Sequence, residues 1–341
     1  MARHLLVTGG AGFIGSAFVR CHLRDYPDDR VTVLDKLTYA GNLANLAPVA
    51  DNPRYRFAQG DIADADVVRE LIQGVDVVVN FAAETHVDRS ILDPGSFIET
   101  DVKGAFVLLE AARRAEVELF LQISTDEVYG EVPVGASRET DQLAPRSPYA
   151  ASKAGGELLV RAYHETYGLP TLVTRASNNF GPYQYPEKFL PVLITNALDD
   201  KPIPLYGDGR QRRDWLYVED HCSALERLIE QGERGTAYNI GAGNECENRE
   251  LAARVLDLLG KPRDLIQSVP DRPGHDRRYA VDTSRLAALG WRPAHTFAAA
   301  LERTVRWYVE HQDWWRSLQD AAYQAYYQRN YADRSRLLSD E

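Results

Sequence analysis

Cysteine, positive charge and long apolar runs are all scarce in this 341-residue chain. Its three cysteines, Cys21, Cys222 and Cys246, are scattered and lack a C-x-x-C spacing, which argues against a disulfide framework and against a zinc site or other metal centre. No apolar stretch reaches the roughly 18 residues that a membrane-spanning helix requires. The N-terminus has no signal-peptide pattern, so we expect a cytosolic protein without a membrane partner.

The shortage of positive charge excludes a second class of partner. The chain has 39 basic and 50 acidic residues, which leaves a net charge of −11. We therefore expect no nucleic-acid partner, because phosphate backbones are bound by clustered cations. Hydrophobic residues make up 44% and charged residues 26%, the ordinary composition of a globular chain large enough for more than one lobe.

The first half of the sequence alternates apolar, strand-like runs with helical patterns. This alternation predicts an α/β fold, a Rossmann-like, doubly wound parallel sheet covered by helices on both faces. The predicted strands are His4–Thr8, Val31–Asp35, Arg54–Gln59, Val75–Asn80, Leu119–Ser124 and Thr171–Thr174. The clearest predicted helices are Ile14–Arg24, Gly95–Ala115 and Tyr149–Tyr167.

A glycine-rich turn follows the first predicted strand and opens the first helix. Gly9, Gly12 and Gly15 let the chain turn sharply and let a pyrophosphate approach the helix N-terminus, where free N–H groups favour anions. Asp35 ends the second strand, where a carboxylate accepts hydrogen bonds from ribose hydroxyls and repels a 2′-phosphate. We therefore predict NAD rather than NADP as the cofactor, although Lys36 is a cation that would tolerate a phosphate.

Two further segments follow strands at the same edge of the predicted sheet. Asp61 follows the third strand, either as an acceptor for the adenine amino group or as a plain helix cap. Ala82 and Ala83 follow the fourth strand and are small enough for a dinucleotide to lie against the backbone. We interpret His86, just beyond them, as a structural hydrogen-bonding residue rather than a base.

The second half of the chain has a different texture. After Arg175 it is rich in turns, with a strand predicted at Thr236–Ile240 and a loop at Pro270–Tyr279. Helices are predicted at Val218–Gln231 and Asn248–Leu259. We predict a NAD-binding domain over residues 1–176, with returns near 215–240, and a smaller α/β substrate lobe from residues 177–214 and 241–312. The Tyr-rich tail, residues 313–341, receives no role.

Tyr149 and Lys153 lie one turn apart at the start of a predicted helix and project from the same face. Tyrosine is a poor base at its ordinary pKa of about 10, but neighbouring positive charge stabilises the phenolate. Tyr149 can then take a proton from a sugar hydroxyl while hydride leaves the same carbon. Thr125, which follows the end of the fifth strand, can hold that hydroxyl in place.

Asp126 and Glu127 add two adjacent carboxyl groups, which hydride transfer alone does not require. Elimination of water beside a ketone needs a base at the α-carbon and an acid at the leaving hydroxyl. Two carboxyl groups whose pKa values are pushed apart supply both roles. A solvated turn is the alternative interpretation. Beside Tyr149 and Lys153, the carboxyl pair favours oxidation coupled to loss of water.

At these residues the chain resembles the extended short-chain dehydrogenase/reductase superfamily, and within it the dTDP-glucose 4,6-dehydratases. The resemblance covers roughly residues 3–310. Thr125, Asp126 and Glu127 form the discriminating run, because related dehydratases and decarboxylases usually show Thr-Ser-Glu there. Thr85 stands where serine is common and keeps the hydroxyl. The other matching runs are residues 83–90, 177–183, 213–221 and 271–279.

This resemblance implies a NAD-dependent hydro-lyase that converts dTDP-glucose to dTDP-4-keto-6-deoxyglucose. It implies that Tyr149 removes the proton from the hydroxyl on carbon 4, with hydride passing to NAD and returning to carbon 6. It also implies that Glu127 removes the proton on carbon 5 and that Asp126 protonates the departing hydroxyl on carbon 6. The family usually dimerises through the helices predicted at Gly95–Ala115 and Tyr149–Tyr167, so a homodimer is expected.

The resemblance also implies a set of contacts. The implied catalytic residues are Thr125, Asp126, Glu127, Tyr149 and Lys153. The implied cofactor-binding residues are Gly9, Gly12, Phe13, Ile14, Gly15, Asp35, Lys36, Thr38, Asp61, Ile62, Ala82, Ala83, Thr100, Tyr149, Lys153 and Asn179. The implied substrate-binding residues are Thr85, Thr125, Asn178, Lys188, Phe189, Tyr206, Arg213, Asn248, Arg272 and His275. Arg213 and Arg272 suit a diphosphate, because guanidinium forks match phosphate oxygens.

Two other functions stay open on the sequence alone. A different nucleotide-sugar enzyme, an epimerase or a decarboxylase, has the same cofactor machinery. Asp126 argues against it, because epimerisation at carbon 4 has no leaving hydroxyl to protonate. A non-enzymatic NAD sensor on the same fold could dispense with Tyr149 and Lys153, yet the chain has both.

Overall fold

The computed structural model describes residues 2–272 and 274–332. Pro273, inside a matching run, and residues 333–341 of the predicted tail lie outside the described residues. The strands are β1 (His4–Thr8), β2 (Arg30–Asp35), β3 (Tyr55–Gln59), β4 (Val77–Asn80), β5 (Leu119–Thr125), β6 (Thr171–Ala176), β7 (Asn178–Phe180), β8 (Ile203–Tyr206), β9 (Arg212–Tyr217), β10 (Thr236–Ile240), β11 (Glu245–Glu247) and β12 (Ile266–Val269).

The α-helices in the same ranges follow the strands and cover them. They are α1 (Phe13–Asp25), α2 (Ala65–Leu71), α3 (Val87–Leu92), α4 (Pro94–Phe97), α5 (Ala105–Arg114), α6 (Pro148–Tyr167), α7 (Phe189–Leu198), α8 (Val218–Gln231), α9 (Asn248–Leu259), α10 (Ser284–Ala288), α11 (Phe297–Glu310), α12 (Gln312–Leu318) and α13 (Ala321–Tyr327).

The main sheet of the described chain has seven parallel strands in the order β10-β6-β5-β4-β1-β2-β3. The chain winds outward in both directions from β1 and β4, which leaves a crevice at the carboxyl ends of these strands. Leu6, Val7, Val78 and Leu121 have no exposed surface, because helices cover both faces of the sheet. The predicted Rossmann-like α/β fold is confirmed.

The segment predicted as a single helix over Gly95–Ala115 is less regular than expected. A π-helical stretch, Ile98–Gly104, lies between α4 and α5. A Cβ at Gly104 would stand 2.5 Å from the Ile62 side chain, so glycine permits the close packing of this stretch against the loop after β3. Such wide turns often occur at functional sites, and this one turns Thr100 towards the cavity.

Two small sheets in the second half do not follow from the sequence pattern. One has the order β11-β9-β7, and the other pairs β12 with β8. The sequence predicted turns where β7 and β8 lie, because these short strands are stabilised by partners distant in the chain. Asn178 pairs with Trp215 and Ile203 with Ile266. β10 returns to the edge of the main sheet, and the proposed division into domains stays a prediction.

The buried apolar side chains of β7, β8, β9 and β11 and the helices around them form a cluster, called the small-sheet core. The described part of the tail packs against it. Trp315 in α12 is fully buried, and its ring N–H donates to the Tyr308 carbonyl at 2.9 Å. Trp314 beside it donates to Asn45 Oδ1 at 3.1 Å, which connects the tail to the first half of the chain. The tail is therefore an integral part of the packing.

The structure also describes the cysteines, the arrangement of metal-ligating side chains and the length of the apolar helices. Cys21, Cys222 and Cys246 are buried free thiols. Among the residues that the structure describes, no group of three or more His, Cys, Asp or Glu side chains is arranged to hold a metal ion. Within the same ranges, no helix has both the length and the apolar character needed to cross a membrane. The cytosolic location stays a prediction.

Candidate active site

A deep cavity of about 400 Å³ opens at the carboxyl ends of the central strands. Every residue predicted for catalysis, for cofactor binding or for substrate binding lies in its wall. The fold therefore brings together residues that are as much as 266 positions apart, from Gly9 to His275. The role predicted for each of them stays a prediction.

The part of the cavity lined by the predicted cofactor-binding residues is called the cofactor end below. Three of these residues are glycines, and each position requires glycine for a different physical reason. Gly9 has a φ of +67°, and a Cβ there would stand 2.6 Å from the Ala82 nitrogen. A Cβ at Gly15 would stand 2.4 Å from the Gly9 carbonyl oxygen, so both positions are dictated by backbone packing. At Gly12 the nearest atom would be the same oxygen at 3.3 Å. Gly12 precedes α1 and lines the cavity, so its missing side chain leaves room for a pyrophosphate at the helix N-terminus.

Asp35 holds two loops of the cofactor end together. Its Oδ2 accepts a hydrogen bond from the Ala11 N–H at 2.9 Å, and its Oδ1 accepts one from the Leu37 N–H at 2.8 Å. Lys36 Nζ lies 2.6 Å from Asp61 Oδ2. The cation that would tolerate a 2′-phosphate is therefore paired with a carboxylate, which weakens the argument for NADP.

Tyr149 lies in the first turn of α6, which begins there for local reasons. Ser147 caps the helix by accepting a hydrogen bond from the Ala150 N–H at 3.1 Å, and Pro148 fits the first helical position. Tyr149 is hydrogen-bonded to Thr125 at the end of β5. Burial raises the pKa of the Tyr149 phenol well above its usual range, and the negative charge of Glu127 raises it further.

Asp126 and Glu127 follow Thr125 in a short 3-10 turn, and Thr125 Oγ1 accepts a hydrogen bond from the Glu127 N–H at 3.2 Å. Burial raises the pKa of Asp126 well above its usual range, and the neighbouring Glu127 adds to this. Burial also raises the pKa of Glu127, but three cations oppose the shift. These cations are Arg272, Arg213 and Lys188. Asp126 is therefore the better proton donor of the pair, and Glu127 the better base.

Asp101 is a buried carboxyl group that the sequence did not single out. It comes from the π-helical stretch and accepts a hydrogen bond from Ser152 Oγ at 2.6 Å. Burial raises its pKa to about 6, while the charge of Lys153 lowers it. Asp101 thus fixes the start of α6 and gives buried Lys153 a negative neighbour. The sequence contains no local signal for this, because 52 residues separate Asp101 from Lys153.

His86 has a partner that its sequence neighbours do not reveal. Its Nδ1 lies 3.1 Å from the hydroxyl oxygen of Tyr326, which is 240 residues later in the tail. Burial lowers the pKa of His86 to about 4, so the ring is neutral at physiological pH. A neutral, hydrogen-bonded ring agrees with a structural role.

The part of the cavity lined by the predicted substrate-binding residues is called the substrate end. It is polar, and only some of its polar atoms have hydrogen-bond partners. Lys188 Nζ donates to Thr85 Oγ1 at 2.8 Å, and Arg213 donates to the Asp276 carbonyl oxygen at 2.9 Å. Several buried polar atoms of the cavity wall have no hydrogen-bond partner among the described residues. They include Asn178 Oδ1, Asn248 Oδ1 and Arg272 Nε. Unsatisfied buried groups in a cavity wall are typical of a ligand site.

The chain is similar to a family model and to individual known proteins. Residues 6–304 match a family model described as GDP-mannose 4,6 dehydratase. The chain is also 52% identical to a dTDP-glucose 4,6-dehydratase of Streptomyces niveus over 319 residues, which covers 92% of this chain and 95% of that relative. The chain belongs to the dTDP-glucose 4,6-dehydratase family. The resemblance inferred from the sequence motifs is therefore confirmed.

Solved structures give the same family and a contrast. DesIV, a dTDP-glucose 4,6-dehydratase from Streptomyces venezuelae with NAD and TYD bound, is similar at a TM-score of 0.91 and 52% identity, over 92% of this chain and 99% of DesIV. A UDP-glucose 4-epimerase from Thermus thermophilus, in complex with NAD, reaches a TM-score of 0.84 at 33% identity, over 90% and 99% of the two chains. A dTDP-glucose 4,6-dehydratase therefore shares its fold with epimerases, and its side chains must carry the difference.

Proposed function

We propose that the protein is a NAD-dependent hydro-lyase that converts dTDP-glucose to dTDP-4-keto-6-deoxyglucose. The observation that carries this proposal is the buried carboxyl pair, Asp126 and Glu127, beside Tyr149 in one cavity. An epimerase acting at carbon 4 needs Tyr149, but it has no use for a carboxyl group whose pKa burial raises. Loss of water needs such an acid.

NAD, which solved relatives of the family bind, is the cofactor. When bound, it takes up the hydride from carbon 4 of the sugar and returns it to carbon 6. The cofactor end of the cavity fits a dinucleotide, because Gly12 leaves space at the N-terminus of α1 and Asp35 lies at the end of β2. The remaining cofactor contacts proposed from the sequence line the same end.

Tyr149 acts as the base at the hydroxyl on carbon 4. Thr125, whose own hydroxyl group is hydrogen-bonded to Tyr149, holds the same sugar hydroxyl in place. Because burial raises the pKa of Tyr149, the phenolate needs positive charge nearby. Lys153, one helical turn along α6 and buried, supplies it. The proton leaves the hydroxyl for Tyr149 as the carbon becomes a ketone.

Glu127 and Asp126 then remove water across carbons 5 and 6. Glu127 takes the proton from carbon 5, which the ketone at carbon 4 has made acidic. The carbon–oxygen bond at carbon 6 breaks while Asp126 gives its proton to the departing hydroxyl, so one water leaves and a double bond forms. The hydride returned to carbon 6, together with the proton that Glu127 gives back to carbon 5, completes the 6-deoxy product.

The substrate and its polar contacts follow from the same cavity. We propose dTDP-glucose as the partner, as in the named relatives. Arg213 and Arg272 are the groups for the diphosphate, since their buried guanidinium groups match phosphate oxygens in number and geometry. The unsatisfied atoms of Asn178 and Asn248 are available to polar groups of the substrate.

A homodimer is the second part of the proposal. Four large hydrophobic side chains are exposed on the two segments expected at the interface: Ile98 at 54%, Phe106 at 45%, Leu158 at 59% and Tyr167 at 55%. A second copy of the chain packed there would remove them from water. The double variant Phe106→Glu, Leu158→Glu should sediment as a monomer, whereas Val134→Glu, an exposed control in a loop, should leave the dimer intact.

The direct test of the activity is a product assay. Purified protein is incubated with dTDP-glucose, UDP-glucose or GDP-mannose, and the products are analysed by mass spectrometry for loss of water and by NMR for the configuration at carbon 4. We expect rapid loss of one water from dTDP-glucose. A product of unchanged mass with inverted carbon 4 would instead identify an epimerase. If all three sugars stayed unchanged with added NAD, a sensor would be the better interpretation.

A further inference from the structure

The tail reaches the substrate end of the cavity through its last described helical turn, Gln328–Ala332. Tyr331 lies in the cavity wall, with its ring centre 5.8 Å from that of Tyr206. Asn330 Nδ2 donates to the Tyr206 hydroxyl at 2.8 Å. The same hydroxyl donates to Asp88 Oδ2 at 3.2 Å. Two neighbouring tail residues thus fix both the ring and the hydroxyl of a predicted substrate-binding residue.

A second contact, through Arg89, connects the tail to segments from both ends of the cavity. The Arg89 guanidinium lies between two rings, 3.6 Å from the centre of Tyr39 and 4.3 Å from the centre of Tyr326. Arg89 also donates to buried Glu187 at 2.7 Å. Tyr39 follows the cofactor-end residue Thr38, so this stack joins the tail to the cofactor loop. Cation–π contacts of this kind are strongest when the cation is partly removed from water.

The position of the tail is set by contacts outside the cavity. The hydroxyl of Tyr327 accepts a hydrogen bond from Asn196 in α7 at 2.7 Å. The hydroxyl of Tyr323 donates to the Pro186 carbonyl oxygen at 3.2 Å, next to Glu187. The segment is therefore anchored to α7, which begins at the predicted substrate-binding residue Phe189.

We propose that the segment from Ala321 to Tyr331 completes the nucleotide-sugar site, with Asn330 and Tyr331 acting as positioning residues for Tyr206. This inference rests on the proposed function. Tyr206 packs edge-to-face against His275, with the ring centres 5.9 Å apart. The rings of Tyr206, His275 and Tyr331 therefore form one aromatic cluster.

Aromatic faces suit the flat base of a nucleotide, whereas the reacting sugar carbons require the carboxyl pair and Tyr149. The tail therefore acts on the nucleoside diphosphate part of the substrate. It affects substrate binding and leaves the chemical steps to the residues that follow β5 and open α6.

The test separates binding from chemistry. Tyr331→Ala should raise KM for dTDP-glucose about tenfold, because one aromatic contact is worth roughly a factor of ten. Its kcat should stay within about twofold, and the inhibition constant of dTDP, which lacks the sugar, should rise by the same factor as KM. Tyr331→Phe, which keeps the ring, should behave as the unaltered protein does.

Two further variants keep the test decisive if Tyr331→Ala folds poorly. Asn330→Ala removes the hydrogen bond to Tyr206 and should also raise KM and the inhibition constant together. Ser317→Ala, a control in α12 before this segment, removes an exposed hydrogen bond to the Trp314 carbonyl oxygen and should leave KM unchanged.

Unchanged KM in both Tyr331→Ala and Asn330→Ala, with the unaltered protein active, would overturn the inference. So would a fall in kcat at constant KM. An inactive unaltered protein would overturn the proposed function instead, so the two failures are distinguishable.

Discussion

The two ends of the cavity are built by different means. The cofactor end consists largely of backbone and small residues that follow neighbouring strands of one sheet, with Gly12 and Ala82 as examples. The substrate end consists of long polar and aromatic side chains, such as Arg272 and Tyr331, from segments far apart in the chain. In the proposed function, the first end recognises groups common to all dinucleotides, whereas the second determines which sugar reacts and how.

This difference explains why one fold serves several reactions. The epimerase from Thermus thermophilus shares the architecture at 33% identity, and it is also complexed with NAD. In the proposed mechanism, Asp126, Glu127 and the charges around them favour loss of water. Changes at the two ends should therefore have separable consequences.

The largest effect is expected at Tyr149, where the two ends meet. Tyr149→Phe removes the base at carbon 4 and should lower kcat about 1,000-fold, within the range typical of acid–base groups. Binding of NAD and of dTDP should change little, as isothermal titration would measure. Near-normal turnover by Tyr149→Phe would refute the proposed role.

A smaller effect that belongs to the substrate end alone is expected at Asp126. Asp126→Asn keeps the shape but removes the acid, so water loss should slow about 100-fold while oxidation at carbon 4 proceeds. Rapid-mixing spectroscopy should then show reduced nicotinamide accumulating in a single turnover. If both half-reactions run at the normal rate, Asp126 is not the acid.

A change confined to the cofactor end should have the opposite signature. In Gly12→Ala, a methyl group enters the space at the N-terminus of α1, so affinity for NAD should fall about tenfold. Unfolding stability should fall by less than about 1 kcal/mol, since the nearest atom stands 3.3 Å from the new carbon. Fluorescence titration with NAD and urea unfolding measure the two quantities.

The matched control is Gly95→Ala, where the new carbon would stand 3.7 Å from Asp93 Oδ1. It should leave NAD affinity unchanged. A loss of affinity as large as that of Gly12→Ala would mean that the effect is not local to the cofactor end.

The last prediction concerns stability and compares two buried histidines of the cavity wall, His86 and His221. Burial lowers the pKa of His86 to about 4 and that of His221 to about 3, so both stay neutral in the folded chain while the unfolded chain gains protons below about pH 6.5. Their stabilisation is complete above about pH 6.5 and is lost as the pH falls towards 4, by about 1.4 kcal/mol per pH unit for each residue.

Urea unfolding across this pH range measures the loss, and His86→Gln and His221→Gln should each reduce the slope by about half of the combined histidine contribution. An unchanged slope in His86→Gln would show that this ring is not held neutral by burial.

More of the cofactor end than of the substrate end could be predicted from residue patterns, because the cofactor end is built from local segments and the substrate end from distant ones. The strand His4–Thr8, the glycine turn and Asp35 are local patterns, and the structure has them where they were predicted. Residues of the second half were placed at the cavity only through their resemblance to a family. Propensity alone predicted turns at β7 and β8, which are formed by pairing with distant strands.

Asp101 and the tail show what no local pattern reveals. Asp101 reaches the site because a π-helical stretch interrupts the helix predicted over Gly95–Ala115. Tyr331 reaches the cavity, and Tyr326 reaches His86, because α11 and α12 carry the chain back across the small-sheet core. In each case packing over long sequence distances determines the position.

The most direct test of the central claim follows a deuterium atom placed on carbon 4 of dTDP-glucose. The product is analysed by mass spectrometry and NMR after reaction without added NAD. The account predicts loss of one water and deuterium on carbon 6, because the hydride removed from carbon 4 is returned within the same cavity. Deuterium retained on carbon 4, or found in solvent, would contradict it.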